Sequence, residues 1–77
     1  MKLTEAISKR VQSLLNQKGL KQYYLFKNGG IPRSTISNII NCQKKRVSTD
    51  TIYQICLTLG ISLQEFFSDE VFKNLED

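Results

Sequence analysis

Apolar residues recur at intervals of three and four along most of the chain, which is the spacing of residues that share one face of an α-helix. The first such segment is expected to begin at Thr4 and to end at Gly19. The residues on its apolar face are Leu3, Ile7, Val11, Leu14 and Leu15. Lys9, Arg10 and Lys18 fall outside this face, so the pattern predicts a helix with a core-facing stripe and a solvated basic side.

A second, shorter helix is predicted over residues 21–28. Leu25 and Phe26 are expected to face inward. The adjacent Tyr23 and Tyr24 cannot both do so, because neighbouring residues of a helix point in different directions. One of the two tyrosines is therefore a candidate to contact a phosphate through its hydroxyl, and the alternative is a partly buried surface ring.

A tight turn is predicted next, and a third helix begins near Pro32. Gly29 and Gly30 permit the left-handed conformation that ends a helix, and proline suits a helix start because it needs no N–H partner there. The apolar stripe of the third helix is Ile36, Ile39 and Ile40. Its opposite face carries side chains of the types that can contact base edges in a major groove: Arg33, Ser34, Ser37, Asn38 and Asn41.

The C-terminal part predicts a fourth helix, a short fifth helix and a final turn over residues 69–75. Ser48 or Thr49 is expected to cap the fourth helix and Gly60 to end it. Ser62 and Glu65 have the spacing of a capping box, which starts the fifth helix. The residues expected to face the core here are Ile52, Ile55, Cys56, Leu59, Leu63, Phe66 and Phe67. The whole pattern predicts an all-α protein, a compact bundle of about five short helices in a single domain that spans residues 1–77.

The charged residues divide the chain into a basic and an acidic part. Residues 1–46 contain ten Lys or Arg and one Glu, a formal charge of +9, whereas residues 47–77 contain six acids and one Lys, a charge of −5. This distribution favours a polyanionic partner on the basic side. A length of 77 residues suits one small domain and leaves no room for a ligand domain, so no small-molecule ligand is expected.

Composition argues against catalysis and against a metal site. The chain has no histidine and two cysteines. Cys56 falls on an apolar stripe and is interpreted as a small buried side chain, while Cys42 is expected to be partly exposed. No serine or cysteine has a base beside it and no metal-ligand spacing occurs, so neither an enzyme nor a metal or other cofactor is expected. The sequence shows no secretory signal or membrane span, which predicts a cytoplasmic protein without a disulfide.

Residues 22–41 resemble the helix-turn-helix of the lambda-repressor-like, Cro-type (Xre) regulators. The matching features are Gln22 at the opening of the first helix of the motif, Gly30 at the turn, Ile31, the run Arg33-Ser34-Thr35-Ile36-Ser37, and Ile39. The flanks match as well, with Gly19-Leu20 before the motif, Lys44-Lys45 after it and residues 48–63 as closing helices. The resemblance implies a homodimeric transcriptional repressor that binds double-stranded DNA at an inverted-repeat operator. The resemblance also implies that the helix at about 33–41 reads the major groove.

The chain departs from the family pattern at three positions. Lys21 stands where a Ser or Thr cap is common, and the missing cap costs about 1 kcal/mol of helix stability. Phe26 occupies a position that is usually small, which predicts a shift in how the two helices cross. Cys42 stands where glycine is common, so Asn41 is expected to adopt the left-handed conformation that ends the helix.

The resemblance and the residue types together predict two sets of DNA contacts. The side chains expected to read bases are Arg33, Ser34, Ser37 and Asn38, of which Arg33 suits guanine and Asn38 suits adenine. The side chains expected to hold phosphates are Gln22, Thr35, Asn41, Lys44, Lys45 and Arg46.

The same helices are also compatible with functions other than DNA binding. An antitoxin or a protein-binding adaptor would use the apolar C-terminal residues as its interface, and in a DNA regulator these residues are a candidate dimer or partner surface. They are Phe67, Val71, Phe72 and Leu75, with Phe66 beside them. An adaptor has no need of a charge of +9 on the half that carries the turn, which favours DNA. Structured RNA is disfavoured, because a helix does not fit the narrow major groove of an A-form duplex.

Overall fold

Five α-helices and one 3₁₀-helix account for most of residues 1–43 and 46–76, which are the residues that the computed structural model describes. The helices are α1 (Leu3–Gln17), α2 (Gln22–Gly29), α3 (Arg33–Ile40), α4 (Thr49–Leu59), α5 (Leu63–Phe67) and the 3₁₀-helix (Glu70–Phe72). These described residues contain no β-strand. The predicted all-α bundle of about five short helices is therefore confirmed. None of these helices combines the length and the apolar composition that crossing a bilayer requires.

The core lies where the apolar stripes of the helices meet. Helix α1 packs against α3 and the 3₁₀-helix, α2 packs against α3 and α4, and α4 packs against α5. The predicted core stripes of α1, α3 and α4 are confirmed with one exception, and Phe66 of α5 is fully buried. The exception is Leu3, which is 40% exposed because it is the first residue of α1 and lies a turn before Ile7, where the core begins.

The turn between α2 and α3 forms as its glycine and proline predict. Gly30 has a φ of +66° and its N–H donates to the carbonyl of Phe26, which closes α2. Pro32 is the N-cap of α3. Ser8, buried on α1, donates from its hydroxyl to the carbonyl of Ile40 at 2.7 Å and so fixes the end of α3 to the body of the protein.

The end of α3 differs from the prediction by one residue. Asn41 is the C-cap with a φ of −97°, and Cys42 is the left-handed residue, with a φ of +54°. Cys42 N–H donates to Ile39 O and Gln43 N–H donates to Asn38 O, which is the pair of bonds of a Schellman motif. In this motif the left-handed residue follows the C-cap, so Cys42 takes that position after α3 although the usual residue there is glycine.

Helix α2 is rotated so that Phe26 faces outward, and the prediction that it faces the core is wrong. Leu25 is buried and Phe26 is 38% exposed. The close approach is made instead by Gly29, where a Cβ atom would lie 2.3 Å from Thr58 Oγ1 on α4. Leu25 and Gly29 are four residues apart and share the face that meets the core and α4, and Phe26, the residue after Leu25, lies at the exposed side of this face.

Two further predictions about surface and core are wrong, one on α1 and one on α5. Arg10 is only 7% exposed, not solvated, and Phe67 is 41% exposed, not directed into the core. Arg10 Nε donates to Phe66 O at 2.8 Å, Nη2 donates to Glu65 O at 2.9 Å, and Nη1 pairs with the Asp69 carboxylate at 3.2 Å. We call Arg10, Glu65, Phe66 and Asp69 the Arg10 cluster. Because the carbonyls at the end of α5 need donors, the arginine is drawn inward.

Candidate DNA interface

The N-terminal ends of α2 and α3 have no side-chain caps. The N-caps are Lys21 and Pro32, and neither side chain accepts a hydrogen bond from the first turn. By contrast, Ser48 Oγ accepts from Asp50 N–H at the start of α4, and Ser62 Oγ accepts from Glu65 N–H at the start of α5. Tyr24 N–H donates to Lys21 O at 2.9 Å, and the other first-turn N–H groups of α2 and those of α3 remain available, at the positive ends of two helix dipoles, to an anion such as a phosphate.

The face of α3 opposite its core stripe is polar, as predicted. Arg33, Ser34 and Ser37 are exposed, and Thr35 and Asn38 are half-buried. Asn41 is exposed and donates from Nδ2 to Ser37 Oγ at 3.1 Å. The structure thus brings the four predicted base-reading residues onto one short helix, with Asn41 tied to one of them.

A cleft of about 230 Å³ separates α3 from the start of α4. Thr35, Asn38 and Arg46 line it together with Val47, Ser48 and Thr51. Two predicted phosphate contacts, Thr35 and Arg46, therefore lie beside one predicted base contact, Asn38. The predictions for Lys44 and Lys45 lie outside the described residues.

Gln22 lies at the exposed start of α2, on the opposite flank of α3. It lines two clefts that also share Tyr23, one bounded by Gln12 and Asn16 of α1 and the other by Arg33 of α3. Tyr23 is exposed and Tyr24 is half-buried against the core, which confirms that the two tyrosines face different ways.

Arg33 stacks on two aromatic rings of α2. Its guanidinium carbon lies 4.6 Å from the centroid of the Phe26 ring and 5.5 Å from that of Tyr23. The two rings are 6.0 Å apart, and we call the three residues the Arg33 cluster. Neither a hydrogen bond nor an ion pair links Arg33 to any other residue in the ranges 1–43 and 46–76. This cluster was not predicted, although the three-residue spacing of Tyr23 and Phe26 places both on one helix face.

The apolar C-terminal residues form a separate patch on α5 and the 3₁₀-helix. The rings of Phe66, Phe67 and Phe72 contact one another, with centroids 4.9 to 5.8 Å apart. Phe72 also packs on the core, and Val71 and Leu75 are half-buried. Of the predicted dimer or partner residues, Phe67 is therefore the most accessible.

Neither cysteine adds chemistry to the α2–α3 surface. Cys56 is fully buried, as predicted, and this burial raises the pKa of its thiol, an effect that the nearby Arg10 partly opposes. Cys42 is exposed at the end of α3, and its Sγ lies 3.8 Å from Thr4 O.

A short helix, a left-handed glycine turn and a second helix with an exposed polar face together define a helix-turn-helix domain. The family model of the Cro/C1-type helix-turn-helix DNA-binding domain matches residues 10–71, so the chain belongs to this family. The crystal structure of the prophage Lp1 protein 11 is similar, with a TM-score of 0.84 and 29% identity over 97% of this chain and 100% of that one. No curated protein matches the chain significantly. Family membership supports a DNA-binding role in transcription regulation.

Proposed function

We propose that this protein is a repressor that binds a specific sequence of double-stranded DNA and reads it by placing α3 in the major groove. The observation that carries the proposal is the N-terminal end of α3. There the exposed Arg33 stands beside an uncapped helix start, on a face made of small polar side chains. This end offers charge-assisted donors to base edges and backbone N–H groups to phosphates at the same time.

In this proposal, one group of side chains binds phosphates and another reads bases. Phosphates are held by Gln22 and the free N–H groups of α2 on one flank of α3, and by Thr35, Asn41 and Arg46 on the other, with Lys44 and Lys45 as further cations. These contacts set the register of α3 and supply most of the salt-dependent affinity. Arg33 donates to guanine O6 and N7, Asn38 pairs with adenine, and Ser34 and Ser37 complete the base contacts.

One domain of this size covers a half-site, so we propose that two copies bind an inverted repeat. The half-site centres then lie about one helical turn, roughly 34 Å, apart along the duplex. The exposed Phe67 and the adjoining Val71, Phe72 and Leu75 are the apolar surface on which the two copies would meet. A dimer seated on an operator that overlaps a promoter would repress by excluding the polymerase.

Selection of bound sequences from random duplex DNA tests the proposal directly. The winning sequence is then compared with an unrelated duplex over a range of salt concentrations. We expect an inverted repeat to be enriched and to bind at least a thousandfold more tightly than the unrelated duplex at moderate salt. Salt-sensitive binding without an enriched sequence would contradict the proposal, and would favour a partner protein docked on the apolar C-terminal patch.

A further inference from the structure

An apolar cleft lies directly beside Arg33, between the N-terminal ends of α2 and α3. Its volume is about 230 Å³. The rings of Tyr23 and Phe26 and the buried Ile36 line it, and Arg33 and Gln22 complete its wall. Since both rings are more than one-third exposed, the cleft opens to solvent on the same surface as Arg33.

Stacking constrains where Arg33 can place its hydrogen bonds. The N–H donors of a guanidinium lie in its plane, so a group that stacks on a ring keeps its donor edge free for two parallel bonds. Arg33 itself lines the cleft, and its guanidinium carbon lies 4.6 Å from the Phe26 centroid, so a base bound by Arg33 lies next to the cleft. A base that accepts both bonds therefore brings its neighbours in the stack close to the two aromatic rings.

We infer that the Arg33 cluster reads two adjacent bases, with Arg33 binding a guanine and the cleft taking the C5-methyl group of a thymine next to it. The inference rests on the proposed function, since it assigns a ligand to the same surface. In the major groove guanine presents two acceptors, O6 and N7, and thymine is the base that presents a methyl group. Successive bases of a strand are about 3.4 Å apart, so a methyl beside the guanine lies within reach of a ring that touches the arginine.

The lining of the cleft selects this ligand over a phosphate. The two ring faces and the aliphatic Ile36 offer dispersion contacts to a methyl group, while the polar groups of the cleft, on Gln22, Arg33 and the Tyr23 hydroxyl, belong to side chains that are exposed to solvent. When a methyl group enters the cleft, its surface and part of the surface of the two rings are removed from water. This burial of apolar surface is favourable.

The test removes single methyl groups from the DNA. In the selected operator, each thymine adjacent to a guanine is replaced in turn by deoxyuridine, which deletes the methyl and changes nothing else. We expect one position in each half-site to lose about fourfold in affinity, the value of one buried methyl group. Phe26→Ala should bind the thymine and deoxyuridine forms equally and keep its salt dependence. Tyr53→Ala, which removes an exposed ring from α4, should still discriminate between them.

The remaining outcomes separate this inference from the function on which it rests. If the unmodified protein binds the operator specifically but binds every deoxyuridine form as tightly, the inference is overturned and the proposed function stands. This arm needs no variant, so it does not depend on how well Phe26→Ala folds. If the single strand binds more tightly than the duplex and Phe26→Ala abolishes the difference, the rings stack on unpaired bases and the inference is also overturned. If no operator is enriched, both proposals fall.

Discussion

The Arg10 cluster and the Arg33 cluster both combine an arginine with aromatic side chains, but the first arginine is buried and the second is exposed. Both place an arginine near aromatic rings, Arg10 at 6.0 Å from the Phe66 centroid and Arg33 at 4.6 Å from that of Phe26. Arg10 is buried and makes two hydrogen bonds to carbonyls and one ion pair. Arg33 is exposed, and its N–H groups donate to no residue within the described ranges. The first arginine uses its donors within the fold, whereas the second leaves its donors unused by the residues that the structure describes.

The helix starts show the same division. Ser48, Ser62 and Asp69 cap α4, α5 and the 3₁₀-helix with their side chains, whereas α2 and α3 begin without such caps. A basic residue or an open helix end is therefore informative about function only when the structure leaves its donors without acceptors. Helix α1 also begins without a side-chain cap from its N-cap residue, and there Glu5 Oε1 accepts from Lys2 N–H at 2.9 Å. Among the described residues, the uncapped helix starts beside Arg33 are those of α2 and α3.

Removing Arg10 should have the largest effect on stability. Arg10→Leu leaves Phe66 O without its side-chain donor, removes one of the donors to Glu65 O and leaves the Asp69 carboxylate without its cation, so we expect the free energy of unfolding to fall by about 3 kcal/mol. Urea denaturation measures this loss. Lys9→Leu, the matched change at an exposed cation of α1, should stay within about 0.5 kcal/mol. A similar loss in both variants would show that Arg10 does not act through its buried contacts.

Gly29→Ala should separate α2 from α4. The new Cβ would lie 2.3 Å from Thr58 Oγ1, and Thr58 cannot turn away freely because its hydroxyl donates to Gln54 O at 2.8 Å. We expect a loss of about 2 kcal/mol, as for other overpacked sites. Thermal unfolding of the double variant with Thr58→Ala should recover most of this loss. If Thr58→Ala does not restore the stability lost in Gly29→Ala, the clash with Thr58 is not the cause of the loss.

Removing Arg33 should leave stability unchanged and reduce specificity. Arg33→Ala is expected to lower the preference for guanine at one or two positions of the operator by about 1–3 kcal/mol, and to alter the free energy of unfolding by less than about 0.5 kcal/mol. Competition binding with single-base operator variants measures the preference. Arg33→Lys should not restore it, because an ammonium cannot form the two parallel bonds. Equal losses on operator and random DNA would contradict a base-reading role.

Exchanging the caps gives the smallest effects. Ser62→Ala removes the hydroxyl that accepts from Glu65 N–H and should cost about 1 kcal/mol. Lys21→Ser supplies the cap that α2 lacks and should add up to about 1 kcal/mol. Urea denaturation measures the change in the free energy of unfolding for both variants. If Lys21→Ser does not stabilise the protein, the first turn of α2 already has its donors satisfied.

The helices and most of the core could be predicted because they depend on short-range patterns. The periodicity of Ile52, Ile55, Cys56 and Leu59 located α4, and Ser62 located the start of α5. The fate of Arg10 could not be predicted this way. Its acceptors lie more than fifty residues further along the chain, and only the packing of α5 against α4 and of the 3₁₀-helix against α1 brings them to it.

For the candidate site, the exposed polar face of α3 could be predicted from the sequence, and the packing around it only in part. The polar face of α3 follows from the spacing of Ile36 and Ile39, so Arg33, Ser34 and Ser37 were placed correctly on the surface. The orientation of Phe26 depends on which small residue of α2 meets α4. Gly29 makes that contact with Thr58 of α4. The contact joins residues that are far apart in the sequence, so the local pattern of α2 does not predict it. The stack of Phe26 on Arg33 follows from this rotation.

The most direct test of the account is an NMR titration of the ¹⁵N-labelled protein with the selected operator duplex. The account predicts that the largest changes in amide chemical shift occur at the starts of α2 and α3, from Gln22 to Tyr24 and from Arg33 to Asn38. The amide chemical shifts from Phe67 to Leu75 should change only if this segment forms the contact between two copies on the operator. Large changes confined to that segment, with the α2 and α3 amides unmoved, would contradict the assignment of the DNA-binding surface.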